Sequence, residues 1–181
     1  MRVIAGEYRS RLLCTLDGSN TRPTLDKVKG AVFSKIGYNI SNSKFLDLFS
    51  GSGSIGIEAL SRGAKLVVLN DMNKDANNII KKNLVMLKAS NYELYQLSYK
   101  ILIDKLSNYQ FDYIYLDPPF NDVDYNDLLN LISNSTLMSP NCLVIIESSV
   151  ELKLNINYNH LVQMKSVKYG KIKISYYKNE E

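Results

Sequence analysis

Histidine, cysteine and proline are all scarce in this chain of 181 residues, and each scarcity excludes something. His160 stands alone, so a mechanism that needs paired histidines, or a histidine-rich metal site, cannot be built here. Cys14 and Cys142 lie far apart in strand-like settings and read as small core residues, giving neither a disulfide nor a metal pair. No apolar run approaches the roughly 20 residues that span a bilayer. Met1–Gly6 lacks the long apolar core of a signal peptide, so the expected location is cytoplasmic. Internal repeats and low-complexity segments are absent. The rest is ordinary for a globular protein, with 45% apolar and 22% charged residues. The length fits one domain that buries roughly 70% of its unfolded surface.

Two of the four prolines are adjacent, and they mark the most informative stretch. Phe111–Leu116 reads as a buried strand that ends abruptly in Asp117, Pro118, Pro119 and Phe120. Proline has a fixed φ and no N–H, so neither ring can continue a central strand. The residue before a proline is pushed into extended geometry, which holds Asp117 just past the strand's carboxyl end. In open α/β sheets that rim is where ligands bind. A carboxylate, the carbonyls of a stiff turn and an aromatic ring can dock a flat, polar substrate there. An acidic turn with a purely structural job has the same composition.

Charge is unevenly spread. Residues 1–38 carry Arg2, Arg9, Arg11, Arg22, Lys27, Lys29 and Lys35 against Glu7, Asp17 and Asp26, which is the whole net charge of +4. The remaining residues balance, so the excess suggests a polyanion-facing segment on a neutral body, with Arg2, Arg9, Arg11 and Arg22 as its candidate contacts, or else a solvated basic face with no partner. Along the chain, 2–6 and 11–15 read as a short hairpin, and Thr24 as the N-cap of a helix over 25–37. From residue 44 strands alternate with helices: strands at 44–49, 65–70, 92–97, 111–116 and 141–147, with helices ending near Arg62 and spanning 73–89, 98–107 and 125–134. A hairpin of 161–169 and 171–178 closes the chain through Gly170. The pattern predicts an α/β fold with a seven-stranded, mostly parallel sheet, a C-terminal antiparallel hairpin, and a small N-terminal hairpin-plus-helix extension. The expected division is 1–38 and 39–181.

A second motif follows the first parallel strand: Asp47, Leu48, Phe49, Ser50, Gly51, Ser52, Gly53, Ser54, Ile55, Gly56. Gly51 and Gly53 permit a tight turn with close backbone approach to a ligand, and Gly56 lets the next helix pack on the strand. Asp71 lies at the end of the second strand, placed to accept from ribose hydroxyls. To this point a nicotinamide dinucleotide fits equally well. Asp47 tips the balance, because its charge disfavours a pyrophosphate and favours an ammonium or sulfonium group. A sulfonium cofactor beside an acidic proline turn suggests methyl transfer to an amine, an in-line displacement that needs positioning and no metal.

These motifs resemble those of the Rossmann-like S-adenosylmethionine-dependent amino-methyltransferases. More narrowly, Arg2–Gly6, Arg22-Pro23-Thr24, the stretch from Gly51 to Gly63, Asp117–Phe120 and Tyr169-Gly170 resemble the RsmD family, enzymes that methylate N2 of one guanine in 16S ribosomal RNA. The resemblance spans almost the whole chain. It implies a class I methyltransferase fold and S-adenosylmethionine as cofactor. It also implies 16S rRNA in an assembling small ribosomal subunit as partner, with the enzyme a monomer. By matching position, Asp47, Ser50, Gly51, Gly53 and Met72 would line the cofactor and Asp71 would hold its ribose. Asp117 and the Pro118 carbonyl would accept from the guanine amine, with Pro119 shaping the turn, and Phe120 would stack on the unstacked base. Ser98 stands where relatives often present Asp or Asn to the adenine. Glu58, in the helix after the glycine turn, is open to a structural role or a cofactor contact. The competing readings are an adenine-N6 methyltransferase acting on DNA or RNA, an NAD(P)-linked oxidoreductase, and a non-catalytic RNA-binding module.

Overall fold

The computed structural model describes residues 1–16, 23–119 and 122–180, together with the backbone but not the side chains of 23–25. Arg22 and Phe120 therefore lie outside the described residues. The chain divides into two compact units, Met1–Ser98 and Tyr99–Glu181.

In the first unit, helix α1 (Pro23–Ile36) runs into a 3₁₀ turn over Gly37–Ile40. Pro23 is the first helical residue, where its missing N–H is of no consequence, so Thr24 lies inside the first turn and is not the cap. Strand β1 (Lys44–Asp47), helix α2 (Ser54–Ser61), strand β2 (Leu66–Asn70), helix α3 (Lys74–Leu87) and strand β3 (Tyr92–Tyr95) follow. β2 lies between β1 and β3, parallel to both, with Asp47 opposite Leu69 and Asn70 opposite Tyr95. Phe45, Leu46, Val67, Val68 and Leu69 are buried, as expected of parallel strands covered on both faces. Asn73 caps α3 by accepting from the Asp75 and Ala76 N–H groups at 2.7 and 3.2 Å, a contact worth about 1 kcal/mol. That cap fixes where the chain turns after β2.

The expected N-terminal hairpin is a narrower device. Among the described residues only Arg2 and Leu12 form a ladder bridge here, supported by Val3 N–H to the Arg11 carbonyl at 3.0 Å and Ser10 N–H to the Val3 carbonyl at 2.9 Å. Val3 and Leu13 face inward while Arg2, Arg9 and Arg11 are exposed. Gly6 marks why the segment seats so closely on α2: at φ +87° it approaches so near that a Cβ would fall 1.7 Å from the Ser61 carbonyl oxygen.

The second unit holds helix α4 (Tyr99–Lys105), strand β4 (Phe111–Leu116), helix α5 (Tyr125–Ser133), strand β5 (Met138–Ser149), the two-residue strand β6 (Asn157–Tyr158) and the long hairpin β7 (Leu161–Tyr169) and β8 (Ile172–Asn179). β4 and β5 are parallel; β5–β8, β8–β7 and β7–β6 are antiparallel. Eight strands are thus present among the described residues where the sequence predicts seven. The eighth, β6, is too short to produce any alternation. Among the described residues no helix is long and apolar enough to cross a membrane.

Candidate active site

The first unit gathers the predicted cofactor residues at the carboxyl ends of β1 and β2. Asp47 closes β1 and is 1% exposed. Its Oδ2 accepts from the Gly56 N–H at 2.9 Å, and its carbonyl accepts from the Ser50 hydroxyl at 2.8 Å, so one residue grips both ends of the glycine turn. A Cβ at Gly56 would come within 2.7 Å of Leu69 and 3.2 Å of that carboxylate. Burial, reinforced by the nearby Asp71 charge and opposed by the Gly56 N–H and Ser50, pushes the Asp47 pKa up to about 7. No cation contributes to that balance, so a cationic ligand is what this carboxyl is suited to receive.

Asp71 follows β2 and spans the turn. Its Oδ2 accepts from Gly51 N–H at 2.9 Å and its Oδ1 from Asn73 N–H at 2.9 Å, while its carbonyl receives the Asn77 amide. Each carboxylate oxygen keeps a further acceptor direction, which suits vicinal hydroxyls. Gly53, at φ +79°, is the N-cap of α2, and Met72 is an exposed apolar side chain beside Asp71. Ser98 is half-buried.

Two amides outside the motifs organise this region. Asn70, 2% exposed, donates to the carbonyls of Leu48 and Leu97 at 3.1 Å each and accepts from Leu97 N–H at 3.0 Å. It pins the chain after β1 to the chain after β3, one residue before Ser98. Asn83, fully buried in α3, accepts from Cys14 N–H at 2.8 Å and donates to the carbonyls of Cys14 and Ser52 at 3.0 and 3.1 Å. The sequence signal for Asn70 is faint, an amide ending an otherwise apolar strand; Asn83 carries none.

Glu58 has a defined structural role. It sits in the second turn of α2 and is fully buried; its oxygens accept from Ile4 N–H at 2.8 Å, Ala5 N–H at 3.0 Å and Arg62 Nε at 2.8 Å. Lys29 Nζ lies 3.6 Å away and donates to the Arg2 carbonyl at 2.6 Å. Lys29 is only 2% exposed, so it is not part of a polyanion-facing surface as its place in the basic segment implied. Burial pulls its pKa down against the partly compensating Glu58 and Asp26 charges.

In the second unit, β4 delivers Asp117 exposed, Pro118 buried and Pro119 exposed. The Pro118 carbonyl is not idle. Tyr125, the first residue of α5, donates its hydroxyl to it at 3.0 Å. Asp124 caps that helix through the Asn126 and Asp127 N–H groups at 2.8 and 3.0 Å, which sets Tyr125 at its post. Burial, with the neighbouring Asp117 and Glu147 charges, pushes the Tyr125 pKa up to about 12, so the phenol stays a donor. Below the turn Tyr115 donates to the buried Glu147 at 3.0 Å, and burial raises the Glu147 pKa. Tyr125 and Glu147 were not legible as site residues, since neither belongs to a spaced motif. Among the described residues no cluster of three or more metal-ligating side chains occurs.

Comparison with known proteins decides the family. The chain matches the family described as conserved hypothetical protein 95 over residues 1–178. It is 37% identical over 157 residues to the ribosomal RNA small subunit methyltransferase D of Haemophilus influenzae, covering 85% of this chain and 81% of that one. The chain belongs to the RsmD family. Another relative, YlbH of Bacillus subtilis, named as a candidate rRNA methyltransferase, is 33% identical and covers 98% of both chains. The solved structure of yhhF from Escherichia coli, described as a candidate methyltransferase, superimposes with a TM-score of 0.86 at 27% identity, covering 99% of this chain and 98% of that one. The fold is accordingly the Rossmann-like methyltransferase fold.

Proposed function

We propose that this RsmD-family chain transfers a methyl group from S-adenosylmethionine to the exocyclic N2 of a guanine in 16S rRNA. The observation that carries the reading is Asp47: a buried carboxyl at the mouth of a glycine turn, with no cation beside it among the described residues and its pKa raised to about 7 by burial. Such a group fits the ammonium of a methionine moiety and repels a pyrophosphate. Asp71, with acceptor directions left over, fits the ribose hydroxyls. Bound there, S-adenosylmethionine supplies an electrophilic methyl on a sulfonium.

The chain's own residues orient the nucleophile. An amine conjugated to a purine ring has its lone pair spread into the ring, so acceptors on its two hydrogens are needed to turn that pair toward the methyl. Asp117 supplies one acceptor. The Pro118 carbonyl supplies the other with the direction that Tyr125 leaves open. The amine that takes the methyl would become cationic and lose one proton, which the exposed Asp117 carboxylate would accept and pass to water, while the spent cofactor would leave as a neutral thioether. Phe120 is assigned the stacking contact and Arg2, Arg9, Arg11 and Arg22 the RNA backbone. Relatives named ribosomal RNA small subunit methyltransferases support the substrate.

The test is incubation with labelled S-adenosylmethionine and under-methylated small-subunit particles, followed by mass mapping of the modified nucleotide. N2-methylguanine is expected, and Asp117→Ala is expected to abolish transfer while cofactor binding persists. Label on adenine N6, or full activity in Asp117→Ala, would overturn the assignment.

A further inference from the structure

We infer that the C-terminal hairpin β7–β8 is a second RNA-docking surface, one that grips phosphodiesters through Lys165, Lys168 and Lys171. This rests on the RNA substrate proposed above. Residues 161–180 contain five lysines and a single acid, Glu180, an excess of four positive charges in twenty residues. That equals the excess of the N-terminal segment, and it disappears in a whole-chain count because the compensating acids sit on other elements. Lys165, Lys168 and Lys171 are exposed. Among the described residues none of the five hairpin lysines makes an ion pair; both ion pairs at α2 end on Glu58.

The register sharpens the point. Lys168 stands directly opposite Lys173 across the antiparallel ladder. Like charges in that relation are destabilising, and nothing in the hairpin offsets them. The Lys173 pKa is lowered, by burial first and by Lys168 second. Lys173 turns its ammonium to the Leu152 carbonyl, which leaves Lys168 pointing its charge outward from the same face of the ladder. Tyr169, half-buried beside the Gly170 turn, sits between Lys168 and Lys171, and lysines interleaved with an aromatic ring suit a polynucleotide. Elsewhere in the same unit Asp122, Asp124 and Asp127 outnumber Lys100 around a groove of about 520 Å³, which suits a polyanion less well. Lysines also protect exposed sheet edges from pairing with other chains, and β7 beyond its short pairing with β6 is such an edge. That explanation covers Lys165 and Lys168. It leaves Lys171 in the turn and Lys173 on the interior strand unexplained.

The test compares the full chain with two variants, Lys165→Gln/Lys168→Gln/Lys171→Gln and Lys168→Glu, for binding to a 16S rRNA fragment across a salt series. Removing one lysine that neutralises a phosphate lowers the slope of log affinity against log salt by about 0.7–0.9. The triple variant should therefore lose roughly two in slope and at least tenfold in affinity at 100 mM salt. Lys168→Glu creates an opposite-charge pair with Lys173. Its melting temperature should hold or rise while its RNA affinity falls at least threefold, so binding and stability move in opposite directions. Unchanged affinity and slope in both variants overturns the inference, as does a triple variant that aggregates yet binds RNA normally, which is the edge-protection outcome. Loss of binding to vesicles containing phosphatidylserine with RNA binding intact would assign the face to a membrane and equally overturn it. If the unaltered chain itself fails to bind or methylate rRNA, the proposed function fails instead.

Discussion

Asp47→Asn is the perturbation with the sharpest signature, because it removes a charge without removing the acceptor for Gly56 N–H. An aspartate titrates near 3.8 when unfolded, whereas in the folded chain Asp47 is held at about 7, by burial first. Between those values the folded state binds the extra proton, so stability falls as pH rises through the window and the cost is complete above it. At about 1.4 kcal/mol per tenfold change in proton affinity, the penalty reaches roughly 4 kcal/mol at pH 8 and roughly 3 at pH 6. Urea unfolding of the ligand-free protein should therefore show about 1.4 kcal/mol more stability at pH 6 than at pH 8 from this group. Asp47→Asn should lack that component and exceed the parent in stability at pH 8. Cofactor affinity should respond in the opposite sense. A cationic ligand needs the ionised carboxyl, which rises from about a tenth to about nine-tenths of the population between pH 6 and pH 8, so affinity measured by calorimetry should increase roughly tenfold. The ligand's own ammonium titrates alike for both proteins, so the difference between them isolates Asp47. A variant with the parent's pH slope in stability, and with undiminished cofactor affinity, would refute the reasoning.

Tyr125→Phe leaves the buried Pro118 carbonyl without its donor; a stability loss of about 1–2 kcal/mol is expected. Single-turnover methyl transfer should slow roughly tenfold with cofactor affinity unchanged, and an unaltered rate would show that the carbonyl needs no steering. Glu58→Gln strands the buried Lys29 and weakens two backbone contacts, so urea unfolding should register a loss of about 3–5 kcal/mol. Combining it with Lys29→Met should recover part of that loss, whereas simple additivity would mean that the two charges do not interact.

Much of the second unit and the parallel strands was legible because each signal was local. Phe111–Leu116 matches β4 residue for residue, since the proline pair can only follow a strand end. The glycine turn was equally legible, as its spacing encodes a backbone path and not a set of partners. Element ends were less so. β1 stops at Asp47 and not at Phe49, because the Asp47 carboxylate reaches forward to Gly56 and the Ser50 hydroxyl reaches back, drawing the chain out of the ladder. β5 begins at Met138, ahead of the expected Asn141, past a proline that reads as a strand boundary. Tyr125, Asn70 and Asn83 could not be found from spacing, because each acts on a backbone carbonyl remote in sequence. A carbonyl leaves no trace in residue identity.

Charge shows the same limit from another side. Seven basic residues near the N-terminus suggested one polyanion-facing surface, yet Lys29 and the arginines of the ribbon are placed in unlike ways. Lys29 is buried against Glu58 and the Arg2 carbonyl, so its charge holds the segment in place. Arg2, Arg9 and Arg11 project outward from the ribbon that Lys29 helps to fasten. Glu58 and Ser61 on α2 receive the N–H groups of Ile4, Ala5, Glu7 and Tyr8, and Asn83 on α3 clasps Cys14. Those two helices also flank the glycine turn, and Asn83 holds the Ser52 carbonyl within it. The basic ribbon is thus fastened to the same buried polar groups that shape the glycine turn. Deleting it would strip Glu58 of two backbone donors and Asn83 of both its Cys14 partners, which is why the arginines have to be tested by substitution and not by truncation.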